Sequence, residues 1–129
     1  MRIFDAHLHF INFNFPIIAN QGYIPPHYSI EQYQQDTEQL HMIGGAIVSG
    51  SFQGFDQNYL LHALKQLGPT YCGVTQLPYS VSDEELVYLN KQGVKALRFN
   101  LKRGGSEDIT KLDYFARRVY DLVGWHCEL

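Results

Sequence analysis

The sequence is poor in the features that mark many specialised proteins. It holds only two cysteines in 129 residues, Cys72 and Cys127, far apart and in no metal-type spacing, so neither a disulfide framework nor a cysteine-based zinc site is expected. No apolar run approaches the roughly 18 residues that span a membrane. No apolar stretch follows Arg2, so no secretory signal is expected; with the reduced thiols this predicts a cytoplasmic location. Charge of one sign is scarce as well. The net charge of -3 leaves no basic footprint for nucleic acid or an anionic membrane, and neither partner is expected. There is no Gly-x-Ser-x-Gly elbow for a serine nucleophile, and Gly104-Gly105 is too short to form a phosphate loop.

What is present is the composition of an ordinary globular domain, with 45% hydrophobic and 18% charged residues, enough apolar material for one core. One local pattern recurs: a helix-like stretch ends in glycine and a short apolar run follows. It appears at Gly44-Gly45, Gly68, Gly93 and Gly124, and glycine closes helices because it reaches the left-handed conformation freely. Ser29 to Gln32 and Ser82 to Glu85 read as capping boxes, and Asp56 as a further cap. Apolar residues spaced for one buried face follow, including Ile30, Tyr33, Leu40 and Ile43 in the first helix. The alternation predicts a parallel α/β sheet with strands near 2–9, 45–51, 71–77, 94–101 and 125–129 and four intervening helices. Residues 1–129 read as a single unit. It is the first half of a TIM barrel, (β/α)4 plus the start of a fifth strand, incomplete in itself because a closed barrel takes about 250 residues. One long loop, Phe10 to Tyr28, has the length of a binding loop or lid.

The chemistry concentrates at strand ends. Alternation along Arg2-Ile3-Phe4-Asp5-Ala6-His7-Leu8-His9 places Phe4, Ala6 and Leu8 on one face and Asp5, His7 and His9 on the other. In a barrel that second face points inward, so His7 and His9 reach the C-terminal mouth, where barrel active sites form. Two imidazoles at i and i+2 are close enough to share a divalent ion such as zinc. On the fourth strand Val94, Ala96, Arg98 and Asn100 share a face, and an inward Arg98 needs an anionic partner: a substrate carboxylate or an internal acid. Lys102 and Arg103 add charge at the same rim. On the second strand Ile47, Ser49 and Ser51 are expected to face inward. His41 and His62 read as helix-surface residues. His27 sits in the long loop, and His126 lies on the fifth strand, where a ligand position is one of its readings.

The segment Phe4-Asp5-Ala6-His7-Leu8-His9 resembles the first-strand motif of the amidohydrolase superfamily, and the whole chain resembles, in order, the branch that contains the 2-pyrone-4,6-dicarboxylate lactonases. The matching pieces are Gly22-Tyr23-Ile24-Pro25-Pro26 in the long loop, Ser51 after strand two, Leu97-Arg98-Phe99-Asn100 on strand four with Arg103 after it, and Trp125-His126-Cys127-Glu128-Leu129. The resemblance implies hydrolysis of an ester, lactone or amide bond in a small carboxylate-bearing substrate. His7 and His9 would bind a metal or polarise the scissile carbonyl. Tyr23, Ser51, Arg98 and Arg103 would hold the substrate. Some members of the branch work without a metal, so the resemblance implies a hydrolase that is either metal-dependent or metal-free. The family also draws a histidine and an aspartate from later strands, beyond these 129 residues. The partner expected is therefore a complementary C-terminal half or a second copy in a homo-oligomer. Two other readings stand beside this one: a self-associating half-barrel remnant without activity, and a flavodoxin-like α/β binding module.

Overall fold

The computed structural model describes residues 1–129. Five strands, β1 (Ile3–Leu8), β2 (Met42–Val48), β3 (Tyr71–Thr75), β4 (Val94–Arg98) and β5 (His126–Glu128), alternate with four helices, α1 (Ile30–Asp36), α2 (Asn58–Leu67), α3 (Asp83–Lys91) and α4 (Leu112–Val123). All neighbouring strands are parallel and lie in chain order, β1-β2-β3-β4-β5. This is the half-barrel of successive β/α units. A flavodoxin-like module would place β2 at the edge beyond β1, in the order 2-1-3-4-5, and the observed order rules that out.

The sheet has two different faces. Ile47, Leu97 and Phe99 join Leu8 and the helical residues Leu60, Leu64, Leu86, Leu89, Phe115 and Val119 in the main core. Ala46, Val48, Val74 and Ala96 form a second, smaller cluster with Cys72 against it. Because 46 and 48 flank 47, the small residues line the inner face and the large ones the helix-covered face. Helices start where the sequence marks them: the Ser29 hydroxyl accepts from the Gln32 amide and the Ser82 hydroxyl from the Glu85 amide, each relieving a free N–H of the first turn. Asp56 contributes a long contact to the Tyr59 amide, 3.4 Å.

The sequence pattern misplaces three features. Leu40 and Ile43 do not belong to the first helix. That helix ends at Asp36, β2 begins at Met42, and both residues are exposed. Gly44 and Gly45 are strand residues rather than a helix stop. A Cβ on Gly44 would overlap the Thr70 carbonyl, and Gly44 holds a φ of 155° that side chains rarely adopt. Ile47 and Ser49 face the helices, not the mouth: Ile47 is in the main core and the Ser49 hydroxyl bonds the Tyr59 hydroxyl of α2. Val94 likewise joins the main core while Ala96 lies in the inner cluster. The register slips between the pairs Gly73–Val94 and Val74–Ala96, so one residue of β4 is unmatched and the simple alternation fails there.

Gly44→Ala should destabilise the chain by about 3 kcal/mol, combining an overpacked contact with an unfavourable backbone. Urea unfolding should show a lower midpoint at unchanged slope.

Candidate active site

β1 sets the first side chains of the site, and it does so through a bulge. Asp5 pairs with Gly45 and Leu8 with Ile47, so β1 uses three steps where β2 uses two. The expected face of Asp5, His7 and His9 is therefore broken. Asp5 lies opposite Gly45, on the helix-covered side with Ile47, and its charge is a lesser cause of the raised pKa of the Tyr28 and Tyr33 hydroxyls. Burial is the first cause of both shifts, which take Tyr28 to about 12. His7 and His9 do meet, with ring centroids 5.0 Å apart and edge to face. His7 is exposed and stands beside the cavity; His9 lines it.

His9 Nδ1 lies 2.6 Å from the Val48 carbonyl. A carbonyl only accepts, so Nδ1 carries the proton and Nε2 holds the free lone pair of the neutral ring. Burial lowers the pKa of His9 below its ordinary value; the Val48 bond opposes this, and the charges of His7 and Arg98 add to the lowering. A neutral His9 can accept a proton at Nε2 or coordinate there. Polarising a carbonyl from Nε2 would need the doubly protonated ring, which burial, and after it the charges of His7 and Arg98, disfavour.

A cavity of about 560 Å³ opens at the C-terminal ends of β1, β2 and β4, lined by His9, Asn20, Tyr23, Gly50, Ser51, Phe52, Arg98, Asn100, Lys102 and Arg103. Five of the six residues singled out in the sequence (His9, Tyr23, Ser51, Arg98 and Arg103) come together here. Ser51 does so from the 3-10 turn Ser51–Gln53 that follows β2. The electrostatics are one-sided: three of the ten lining residues are cations and none is an acid. Arg98 is half-buried and donates from Nη1 to the Ser49 carbonyl at 2.7 Å. None of Arg98, Lys102 and Arg103 has a carboxylate within 4.0 Å; the ion pairs are Arg117–Asp113, Arg118–Asp83 and His126–Glu128. The internal salt bridge that Arg98 could have made is absent. Burial pulls the Arg98 pKa down from its ordinary value, and Glu128, its register partner on β5, partly restores it. Glu128 itself bonds His126 Nε2 at 3.1 Å.

As a metal site the residues fall short. No group of three or more His, Cys, Asp or Glu side chains comes together, and catalytic zinc takes three protein ligands. His7 and His9 supply two, and Asp5, whose carboxylate accepts from the His7 amide at 3.4 Å, does not join them as a third ligand. His126 is engaged with Glu128. The side chains of this chain alone do not complete a metal centre. His27 accepts from the Phe13 amide within the long loop. His41 and His62 are exposed; His41 stands just before β2 rather than in a helix.

Asn100, which alternation and motif place beside Arg98, and three residues that neither singled out also build the site. The Phe52 ring packs edge-on to His9 at 6.0 Å. Asn100 accepts from the Arg103 amide at 3.1 Å and shapes the loop after β4. Asn20 reaches Ser51 and Arg103. Gln76, fully buried after β3, donates from Nε2 to the carbonyls of Gly50, Gly54 and Gly105 at 3.1, 2.9 and 3.2 Å, so it ties the loops of β2 and β4 together. Its Oε1 has no partner. A lone Gln in an apolar run carries no sequence signal for such a role.

Known proteins match this chain along nearly its whole length. The family model described as Amidohydrolase matches residues 4–128. A 2-pyrone-4,6-dicarboxylate hydrolase of Comamonas testosteroni is 31% identical over 127 residues, covering 95% of this chain and 41% of that protein. The crystal structure of a probable 2-pyrone-4,6-dicarboxylic acid hydrolase of Acinetobacter baumannii, with citric acid bound, superimposes with a TM-score of 0.84 at 25% identity, covering all of this chain and 49% of the other. An Agrobacterium tumefaciens protein, crystallised without ligand, reaches a TM-score of 0.83 at 18% identity over 96% of this chain and 46% of its own, and shows the shared fold. The chain thus spans between two fifths and half of these relatives.

Gln76→Leu should cost about 2 kcal/mol, because it strips a donor from buried carbonyls, and should lower the unfolding midpoint without changing its slope. NMR titration should place His9 below 6.5, and Arg98→Gln should raise it by removing a positive charge. The unfolded chain binds this proton more readily than the folded one. Stability is therefore full above about pH 6.5 and falls as the pH drops from there through the folded His9 pKa.

Proposed function

Because the chain belongs to the amidohydrolase family, we propose that its cavity binds a small molecule bearing carboxylates and serves the hydrolysis of an ester, lactone or amide bond in it. One observation carries this reading: three cations without carboxylate partners line a cavity that contains no acid. A half-buried guanidinium is stable only if something offsets its lost hydration, and a single carbonyl bond leaves most of the Arg98 fork unused. A carboxylate matches that fork in two parallel bonds. Arg103 and Lys102, at the rim, suit a second carboxylate. Tyr23 and Ser51 add hydroxyls.

His9 is the group suited to proton transfer. Its Val48 bond fixes the tautomer, its lowered pKa keeps Nε2 free near neutral pH, and a base of that kind typically contributes between 10² and 10⁴ in rate. His7, edge-on to His9, adds a positive charge when protonated and so opposes protonation of its neighbour. With two histidines the metal question belongs to the complete protein, and no step is assigned to a metal here. β1 and β5 each keep one open edge. A complementary half or a second copy would add strands there and bring further side chains to the mouth.

The reading is tested by calorimetric titration with citrate, the small tricarboxylate bound to a relative of this fold. Arg98→Met should weaken binding at least tenfold, as expected for a charge-assisted pair, while Lys65→Met, on the far surface of α2, should leave it unchanged. Equal affinity for citrate and its trimethyl ester would refute the carboxylate reading. In the complete protein, cleavage of a dicarboxylate lactone should fall at least 10²-fold in His9→Ala.

A further inference from the structure

The long loop carries a hairpin tip whose purpose the carboxylate reading leaves open. Asn20 and Tyr23 exchange two backbone bonds of 3.0 Å, and the residues between them, Gln21 and Gly22, hold φ angles of 52° and 79°. Positive φ at both central positions is the type I′ turn, which glycine and asparagine enter readily and glutamine does not. Gln21 is the only non-glycine residue of the chain in this conformation. The tip therefore keeps a turn that its own sequence disfavours, and something outside it must hold it.

The holding group is the Asn20 amide. Asn20 Nδ2 lies 3.1 Å from the Arg103 carbonyl and 2.8 Å from Ser51 Oγ. The carbonyl only accepts, so this atom is the NH2 group, and an amide nitrogen has no lone pair to offer. Ser51 Oγ must then be the acceptor of the second bond. That leaves the Ser51 proton uncommitted, with no other partner in the structure, on a side chain that is 7% exposed and lines the cavity. One amide thus spans three segments: the tip, the turn after β2 and the loop after β4.

We propose that Asn20 is a positioning residue that latches the tip across the mouth and turns the Ser51 hydroxyl into a donor aimed at the ligand. The selectivity follows from chemistry. With Ser51 donating beside Arg98, Lys102 and Arg103, this part of the cavity wall offers donors, and a ligand oxygen with lone pairs is favoured there over a group that must itself donate. This step rests on the carboxylate reading of the cavity; the latch itself does not.

The test has two arms. In the ligand-free chain, hydrogen exchange should rise in Asn20→Ala at residues 18–23 and at 102–106 together. Asn20→Asp, which keeps the shape and suits the same turn but lacks the donor, should do the same. In the second arm, Asn20→Ala should weaken citrate binding about tenfold in the parent and less than about twofold in a Ser51→Ala background, because the effect runs through Ser51. Equal losses in both backgrounds would mean a merely structural lid and would overturn the orienting role. Unchanged exchange at the tip would overturn the latch. If the parent binds no citrate, the carboxylate reading and with it the orienting role fail, while the exchange arm still decides the latch.

Discussion

A guanidinium that is half-buried and has no carboxylate partner is the constraint around which the mouth is arranged. Arg98 reaches from β4 across β3 to the Ser49 carbonyl at the end of β2, so the position of the charge depends on the register of three adjacent strands. Placing a positive charge there is costly. The groups in contact answer with dipoles, the Ser49 carbonyl at Arg98 itself, the Gln76 amide fixing the loops on either side, and Asn100 shaping the loop that carries Lys102 and Arg103, while Glu128 on β5 acts on Arg98 only from a distance. The chain as a whole is net negative, yet this cavity is positive. Such a local field concentrates anions at the mouth without making the protein basic.

The parallel β/α order was legible in the sequence because it rests on periodicity and on glycine and serine punctuation, both local signals. The positions of Arg98, Arg103, Ser51, Tyr23 and His9 around one cavity follow from that order, since strand ends of a parallel sheet share one rim. Facing was less legible. Alternation assigns Asp5 to the histidine face, and a single extra residue in β1 reverses it. Alternation likewise puts Ile47, Ser49 and Ser51 on one inward face, but Ser51 reaches the cavity from a turn after the strand, where the two-residue period no longer applies. Bulges and turns are decided by pairing with a distant strand, which no window of the chain contains.

The polar scaffold was the least legible part. Asn20 and Gln76 act over sequence distances that leave no pattern: 31 and 83 residues separate Asn20 from its partners Ser51 and Arg103, and 26, 22 and 29 separate Gln76 from its three carbonyls, whereas Asn100 acts locally, on the Arg103 amide three residues on. Amide side chains are well suited to this work. They satisfy buried carbonyls without bringing a charge that would compete for the arginines.

In the proposed hydrolase, binding and proton transfer would be coupled through the same electrostatics. Burial first, and after it the charges of His7 and Arg98, hold the His9 pKa down while the cavity lacks an anion. A carboxylate seated on Arg98 would cancel most of that field, and the Nε2 lone pair would become a stronger base as the ligand arrives. The opposing influence is desolvation: closing the mouth over the ligand removes water from His9 and lowers its pKa again. The Asn20-held tip governs that balance, because it sets how much of the cavity the ligand shares with water. The bulge in β1 therefore matters beyond its geometry. By setting Asp5 on the side of Tyr28 and Tyr33, it keeps a permanent carboxylate away from the His9 and Arg98 pair, as a cavity proposed to take its anion from the ligand requires.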